Sequence, residues 1–291
     1  MNEAIKLSSP ATHEFWEIPV LYEDAHLLAL LKPSGLLSSP DRYDPDRPNL
    51  MKLLHEGISK GAPWARARQL AYLANAHRLD LETSGVILLA KDKPSLVALA
   101  NQFGAEQAEK RYLALVQGAV AESTLAVDAP VGPHPTRPRF MRVDRKHGKR
   151  ARTLFSVIER FARHTFLECR PLTGRTHQIR VHLRHLGFPI VGDSLYGGQT
   201  LLLSSLKPDY RFKPDRQERP LIGRLALHAA DLIVHHPVIG ERLTIAAPWP
   251  KDLVVGLKYL RRYAPAPGST PPVPQAPADG VSDSSGSSSI S

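Results

Sequence analysis

Two five-residue apolar runs, Leu27–Leu31 and Val86–Ala90, sit between polar residues. A run with no polar alternation is covered on both faces, and five residues suits a strand rather than a helix. Val20-Leu21-Tyr22 gives a shorter strand before the first run, across an acidic turn at Glu23-Asp24. Lys32-Pro33-Ser34-Gly35 reads as a turn after it. Arg111–Gln117 alternates, with Tyr112, Ala114 and Val116 on one face. Thr153–Ile158 and Thr165–Cys169 look like a strand pair, and Leu225–Val234 and Leu243–Ala246 return to strand. Helical spacing is confined to three stretches: Asn49–Glu56, Ser95–Gln107 (Leu96, Leu99, Ala100, Phe103) and Thr176–Leu186, closed by Gly187. Strands outnumber helices, with no repeat and no βαβ rhythm. The pattern therefore predicts an α+β domain on a largely antiparallel sheet.

The ends break this pattern. Residues 264–291 are rich in Pro and Ser and almost devoid of large apolar side chains. Such a segment buries too little surface to offset its ordering entropy, so a disordered tail is expected. Residues 1–15 are expected to be a flexible N-terminal segment, which leaves 16–263 as the folded domain. Residues 198–220 look like a surface insertion.

Composition changes the picture through charge. The 291-residue chain is 42% hydrophobic, an ordinary globular value, but carries a formal net charge of +10. A protein this basic usually meets a polyanion, and the charge is clustered: Arg137, Arg139, Arg142, Arg145, Lys146, Lys149, Arg150 and Arg152 face a single acid, Asp144. A solvated basic loop is the plainer alternative. Cys169 is the one cysteine, so internal disulfides and Cys-based zinc clusters are excluded. No apolar run is long enough to span a bilayer, and no secretory signal is evident, which points to the cytoplasm.

Three stretches hold candidate chemistry. In "HRLDLETSG" (77–85), His77, Arg78 and Asp80 crowd against the buried run, with Thr83 close behind. A structural ion pair would explain the cluster equally well. In "GRTHQIRVHLRHLG" (174–187), helical spacing places His177, Arg180 and Arg184 on one face and Ile179, Leu183 and Leu186 on another. That is either a solvated basic face or a helix bracing a carboxylate or phosphate with one arginine. In "KRYLALVQG" (110–118), Tyr112 taken alone reads as a half-buried core tyrosine. Phosphate-binding loops, zinc-protease helices and serine-nucleophile elbows are missing. Asp41, Asp44 and Asp46 miss the spacing of a calcium loop and read as an exposed acidic loop.

Together the three stretches resemble the RluA-type pseudouridine synthases, most specifically in "GRTHQIRVHLRHLGFPIVGDSLYG" (174–197). "VLYEDAHLLALLKPSGL" (20–36) resembles the entrance to that family's domain and "LALHAADLIVHHP" (225–237) its closing strands. The resemblance covers roughly residues 20–250. It implies the pseudouridine synthase fold: a mixed, mainly antiparallel sheet with flanking helices and a central RNA-binding cleft. It also implies cofactor-free, metal-free isomerisation of uridine to pseudouridine in ribosomal or transfer RNA.

By motif match Asp80 is the catalytic aspartate, Arg180 its charge partner, and Tyr112 stacks on the uracil and helps remove a proton. Arg78 is implied to fill the space left by the flipped nucleotide. His77, Thr83, Arg175, His177 and Leu227 are expected to bind substrate, and Arg142, Arg145, Lys146 and Lys149 to hold phosphates. Some relatives carry a small RNA-binding module ahead of the catalytic domain. Here the entrance motif begins near residue 20, so target choice is expected to rest on the catalytic domain and its loops. A monomer is expected. The competing readings are an RNA-binding or RNA-folding module with incidental catalysis, and a nucleosidase. The nucleosidase would need a second carboxylate near Asp80.

Overall fold

Val86–Ala90 lies near the middle of the principal sheet, every residue of its strand buried, as its unbroken apolar pattern requires. The computed structural model describes residues 4–41, 44–210 and 217–268. In chain order the elements are β1 (Ile5–Ser9), β2 (Glu14–Ile18), β3 (Val20–Glu23), β4 (Leu27–Lys32), α1 (Leu50–Ser59), α2 (Pro63–Ala67), β5 (Ala74–Asn75), β6 (Ser84–Ala90), α3 (Lys93–Gly104) and β7 (Glu109–Gln117). There follow β8 (Thr124–Asp128), β9 (Val131–Pro133), β10 (Met141–Val143), β11 (Arg152–Arg160), β12 (His164–Pro171), α4 (Gln178–His185), β13 (Leu227–His235), β14 (Arg242–Ala246) and α5 (Lys251–Tyr263). The main sheet runs β3-β4-β6-β13-β7-β12-β11-β8, with β5 beside β6 and β14 beside β13. Its pairings are antiparallel except β6–β13, which run parallel and touch only at Ser84/His228 and Gly85/Ala229. The expected α+β class and mainly antiparallel sheet are what the chain adopts.

Local chemistry sets the helix starts. Asn49 caps α1 by accepting the Lys52 N–H at 2.9 Å, and Asp92 caps α3 by accepting the Ser95 N–H at 2.7 Å. Ile179 and Leu183 of α4 face the core, as their spacing predicted. In β7, however, residues 113–116 are all fully buried, so the expected two-faced alternation does not divide core from solvent. This central strand is covered on both sides.

Four expectations change. The N-terminal segment is not loose throughout: β1 and β2 form an antiparallel hairpin, and Ile5, Leu7 and Ile18 are buried with α1 and α2 residues. The alternation Ile5-Lys6-Leu7 is the strand pattern behind it, with Ile5 and Leu7 buried and Lys6 exposed. The expected surface insertion sends Leu201 and Leu206 into the core, and Leu201 bridges Ile222; its residues 211–216 lie outside the described ones. The basic run 137–152 is not a simple loop, because β10 pairs with β9 and Lys149 bridges Val131. The expected tail begins late: the Ala162 N–H donates to Ala264 O and Phe161 bridges Pro265, while residues 269–291 lie outside the described ones.

Gly85 marks the point where β6 meets β13. Its φ is +122°, and a Cβ built there would lie 2.2 Å from the Ala229 carbonyl oxygen. Gly85→Ala therefore combines backbone strain with a backbone clash, each costing about 1–3 kcal/mol. Denaturant unfolding should show at least about 2 kcal/mol lost; a loss below about 1 kcal/mol would mean that β13 can move away freely.

Candidate active site

Asp80 lies in the loop that feeds β6, and that loop is tied down from behind by the segment after β4. Ser38 Oγ donates to Leu79 O and accepts the Leu79 N–H. Ser34 Oγ donates to Glu82 O, and the Gly35 N–H donates to Leu81 O. Lys32, fully buried, donates from Nζ to Pro33 O, Leu36 O and Leu81 O. Burial pushes its ammonium down to about 7, with the Asp80 charge opposing that fall. The Thr83 N–H closes the turn by donating to Asp80 O. Asp80 is thus the partly exposed tip of a loop whose backbone polar groups are held on both flanks.

Arg180 reaches Asp80 from α4, with Nη1 3.7 Å from Oδ2. Its stronger bonds go elsewhere. Nε and Nη2 donate to the two oxygens of Asp193 at 2.8 and 2.7 Å, and Asp193 is fully buried. Glu82 stands 3.9 Å from Nη2, and the Tyr196 ring lies 4.9 Å below the guanidinium. Burial alone would lower the Arg180 pKa; the bonds from Asp193 and the charge of Asp80 raise it, so the cation is secure. Two further carboxylates thus share Arg180 with Asp80: Asp193, engaged bidentately, and Glu82. Burial raises the Glu82 pKa, and Arg180 opposes the rise.

His177 precedes α4 in a left-handed conformation, φ 55°. Tyr196 OH accepts the Met141 N–H and sits 2.8 Å from His177 Nδ1, so the phenol has its own proton to give that nitrogen. His177 Nε2 faces Asp80 Oδ2 at 4.0 Å. Burial lowers the His177 pKa, which keeps the ring neutral. Tyr112, on β7, is half-buried; burial first, then the Asp80 charge, push its phenol well above the usual range. The structure thus draws Asp80, Arg180, His177 and Tyr112 into one electrostatic neighbourhood.

The remaining expected residues divide. Arg78 is exposed and makes no hydrogen bond or ion pair among the described residues, leaving its guanidinium available. Arg145, Lys146 and Lys149 are exposed, while Arg142 is paired with Asp144 at 2.9 Å. Arg175 braces the basic segment by donating to Arg150 O.

His77 is a correction. Its Nε2 accepts the Leu88 N–H and its ring stacks on Phe103 at 4.9 Å, with burial lowering its pKa to about 3. It fastens the loop to the sheet rather than offering a group to substrate. Leu227, 3% exposed, belongs to the core, and Thr83 is buried with a hydroxyl that has no hydrogen-bond partner among the described residues. The acidic loop is also less open than expected, since Asp41 pairs with Arg139 at 3.3 Å. Lys32, Ser34, Ser38, Asp193 and Tyr196 are the residues that sequence reasoning missed. The last two lie inside the quoted 174–197 block.

Among the described residues no group of three or more His, Cys, Asp or Glu is placed to hold a metal ion, and no helix is long and apolar enough to cross a membrane.

Acid should weaken this scaffold. His77 and His228 have pKa values lowered by burial to about 3 and about 4, from 6.5. Below 6.5 the unfolded chain binds protons that the folded chain refuses, so stability falls as pH drops from 6.5 towards 4. The slope should reach about 1.4 kcal/mol per pH unit for each histidine. Unfolding free energies measured from pH 7 to 4 check this, and a flat profile would contradict the buried neutral assignment.

Comparison with known proteins agrees with the site. A sequence model of the family described as RNA pseudouridylate synthase matches residues 26–185. The chain is 42% identical over 247 residues to ribosomal large subunit pseudouridine synthase D of Xanthomonas campestris pv. campestris, covering 83% of this chain and 69% of that one. It is 38% identical over 245 residues to ribosomal large subunit pseudouridine synthase C of Escherichia coli K12, covering 83% and 70%. Among solved structures, human RNA pseudouridylate synthase domain containing 4 superposes with a TM-score of 0.64 at 27% identity, covering 83% of this chain and 92% of that one. The chain belongs to the RluA-type family of RNA pseudouridine synthases, isomerases that convert uridine in RNA to pseudouridine.

Proposed function

We propose that the substrate is large-subunit ribosomal RNA and that Asp80 is the catalytic carboxylate. The names of the relatives support the first part. The observation that carries the second is Arg180, locked by Asp193 and 3.7 Å from Asp80.

Uracil must leave its ribose, rotate and rejoin through carbon. Whether the carboxylate attacks the sugar, adds to the ring or removes a sugar proton, it must be ionised. A fixed guanidinium favours that form and holds it in position. A second acid is not needed to discharge a leaving group, because the uracil stays in the site and is reused. Tyr112 stacks on the base. Burial first, and the Asp80 charge second, keep its phenol protonated, so it meets the uracil as a neutral hydroxyl.

The uridine must be flipped out of its helix, at about a few kcal/mol. Arg78, unpaired at the loop, fills the gap. The exposed cations Arg145, Lys146 and Lys149 offset the cost by holding phosphates. The reaction is redox-neutral and needs no electron carrier, and a cytoplasmic monomer without metal is the simplest working form.

Mapping pseudouridine in large-subunit ribosomal RNA from cells with and without the protein tests the substrate: at least one site should disappear. An unchanged ribosomal RNA map alongside a lost site in transfer RNA would overturn it. Asp80→Asn should abolish tritium release from uracil labelled at C5 while RNA binding persists; substantial release would remove Asp80 from the chemistry. The triple change of Arg145, Lys146 and Lys149 to Ala should flatten the salt dependence of binding by about 0.7–0.9 in log–log slope per lost contact. Single-turnover rate at saturating RNA should change little. An unchanged slope would make these cations merely a solvated surface.

A further inference from the structure

A cavity of about 470 Å³ lies between the β9–β10 hairpin and α4. Phe140, Val181 and Tyr196 line its inner wall, and Arg137, Arg142 and Arg184 are exposed at its rim. Tyr196 is the partition. One side of its ring carries the Arg180 guanidinium, and it packs at an angle of 64° against the Phe140 ring, with centroids 5.8 Å apart. The Phe140 ring is partly exposed, with the Arg137 guanidinium 5.5 Å from its centroid. Arg142 is paired with Asp144, while neither Arg137 nor Arg184 has a carboxylate partner among the described residues, and no carboxylate lines the cavity.

An aromatic face beside unneutralised guanidinium groups suits one unstacked nucleotide: the base takes the π face and the phosphate takes the cations. The volume lies within the usual small-ligand range, about 300–1,000 Å³, so a single base fits. We infer that this cavity receives a second nucleotide of the RNA, one flanking the target uridine and also drawn out of its stack. Its base stacks on Phe140, where Arg137 now lies, and Arg137 and Arg184 hold its phosphate. This inference rests on the reading of the chain as an enzyme of ribosomal RNA. It adds a residue, Phe140, that selects RNA able to release two bases rather than one. The shared Tyr196 wall links occupancy of the cavity to the placement of His177 and Arg180.

The test is an abasic scan. A large-subunit ribosomal RNA fragment carrying the target uridine is made with one flanking nucleotide at a time replaced by an abasic one. Affinity is then measured for the unmutated protein, Phe140→Ala and Phe140→Trp. A stacked base is worth about 1–3 kcal/mol, or roughly 5- to 150-fold in affinity. One flanking position should therefore cost the unmutated protein about tenfold. The same abasic position should cost Phe140→Ala almost nothing, because the platform is already gone, and Phe140→Trp should keep the penalty. Comparing penalties within each variant separates the stacking role from any general loosening of the hairpin. No penalty at any flanking position, or an equal penalty in Phe140→Ala, would overturn the inference. Pseudouridine formation on the intact fragment is scored in parallel. Binding with the expected penalties but no isomerisation would sink the enzymatic reading and leave the cavity assignment standing. Isomerisation without any penalty would do the reverse, and no binding at all would overturn both.

Discussion

Arg180 carries a full charge at 4% exposure, and such a charge is tolerable only if it is paired and its donors are used. Asp193 meets that need with a bidentate bond, itself fully buried in the turn after α4. The pair fixes the guanidinium independently of Asp80, so the Asp80 loop finds a positive charge already in place. Asp80 then needs no tight contact to stay near it. The 3.7 Å separation leaves its oxygens only loosely engaged. Removing either member of a buried pair costs about 3–5 kcal/mol, because the survivor is left uncompensated.

Around this pair the polypeptide holds a polar loop against a strongly apolar sheet. Lys32 gives three hydrogen bonds to carbonyls near the loop, and Ser34 and Ser38 supply three more contacts to residues 79–82. His77 accepts the Leu88 N–H on the opposite flank. Every one of these groups serves the backbone rather than the substrate. The site therefore sits on a rigid base while its outer rim, the β9–β10 hairpin and the exposed cations, remains available to RNA.

Much of this was legible in the sequence wherever a short-range pattern reports directly on burial. The run Val86–Ala90 announced its strand, and Ile179 and Leu183 announced the inner face of α4. Asp80 and Arg180 were found through motif resemblance, and the fold brings them together. What escaped depended on contacts distant in sequence or on residues whose type misleads. Lys32 looked like a turn residue because lysine is seldom buried; its place follows only from carbonyls converging on it from two segments. Asp193 lay within the quoted block, yet nothing about its spacing says that Arg180 bonds it before Asp80. His77 is expected at the substrate from its place beside Arg78 and Asp80, but successive residues of an irregular loop point to different sides. The N-terminal hairpin was misjudged from its position at a terminus, although Ile5 and Leu7 alternate as a strand should.

The central claim is that the planar fork of Arg180, and not merely its charge, sets up Asp80. Arg180→Lys keeps the charge but cannot bond both oxygens of Asp193 while facing Asp80. The decisive measurement is the single-turnover rate of pseudouridine formation by Arg180→Lys at saturating ribosomal RNA, alongside its RNA affinity and unfolding transition. The account predicts a rate lower by about 100-fold or more, the scale of losing one preorganised electrostatic partner, with cooperative unfolding retained and affinity within about threefold. A rate close to that of the unmutated protein would contradict it, since a positive charge anywhere near Asp80 would then suffice.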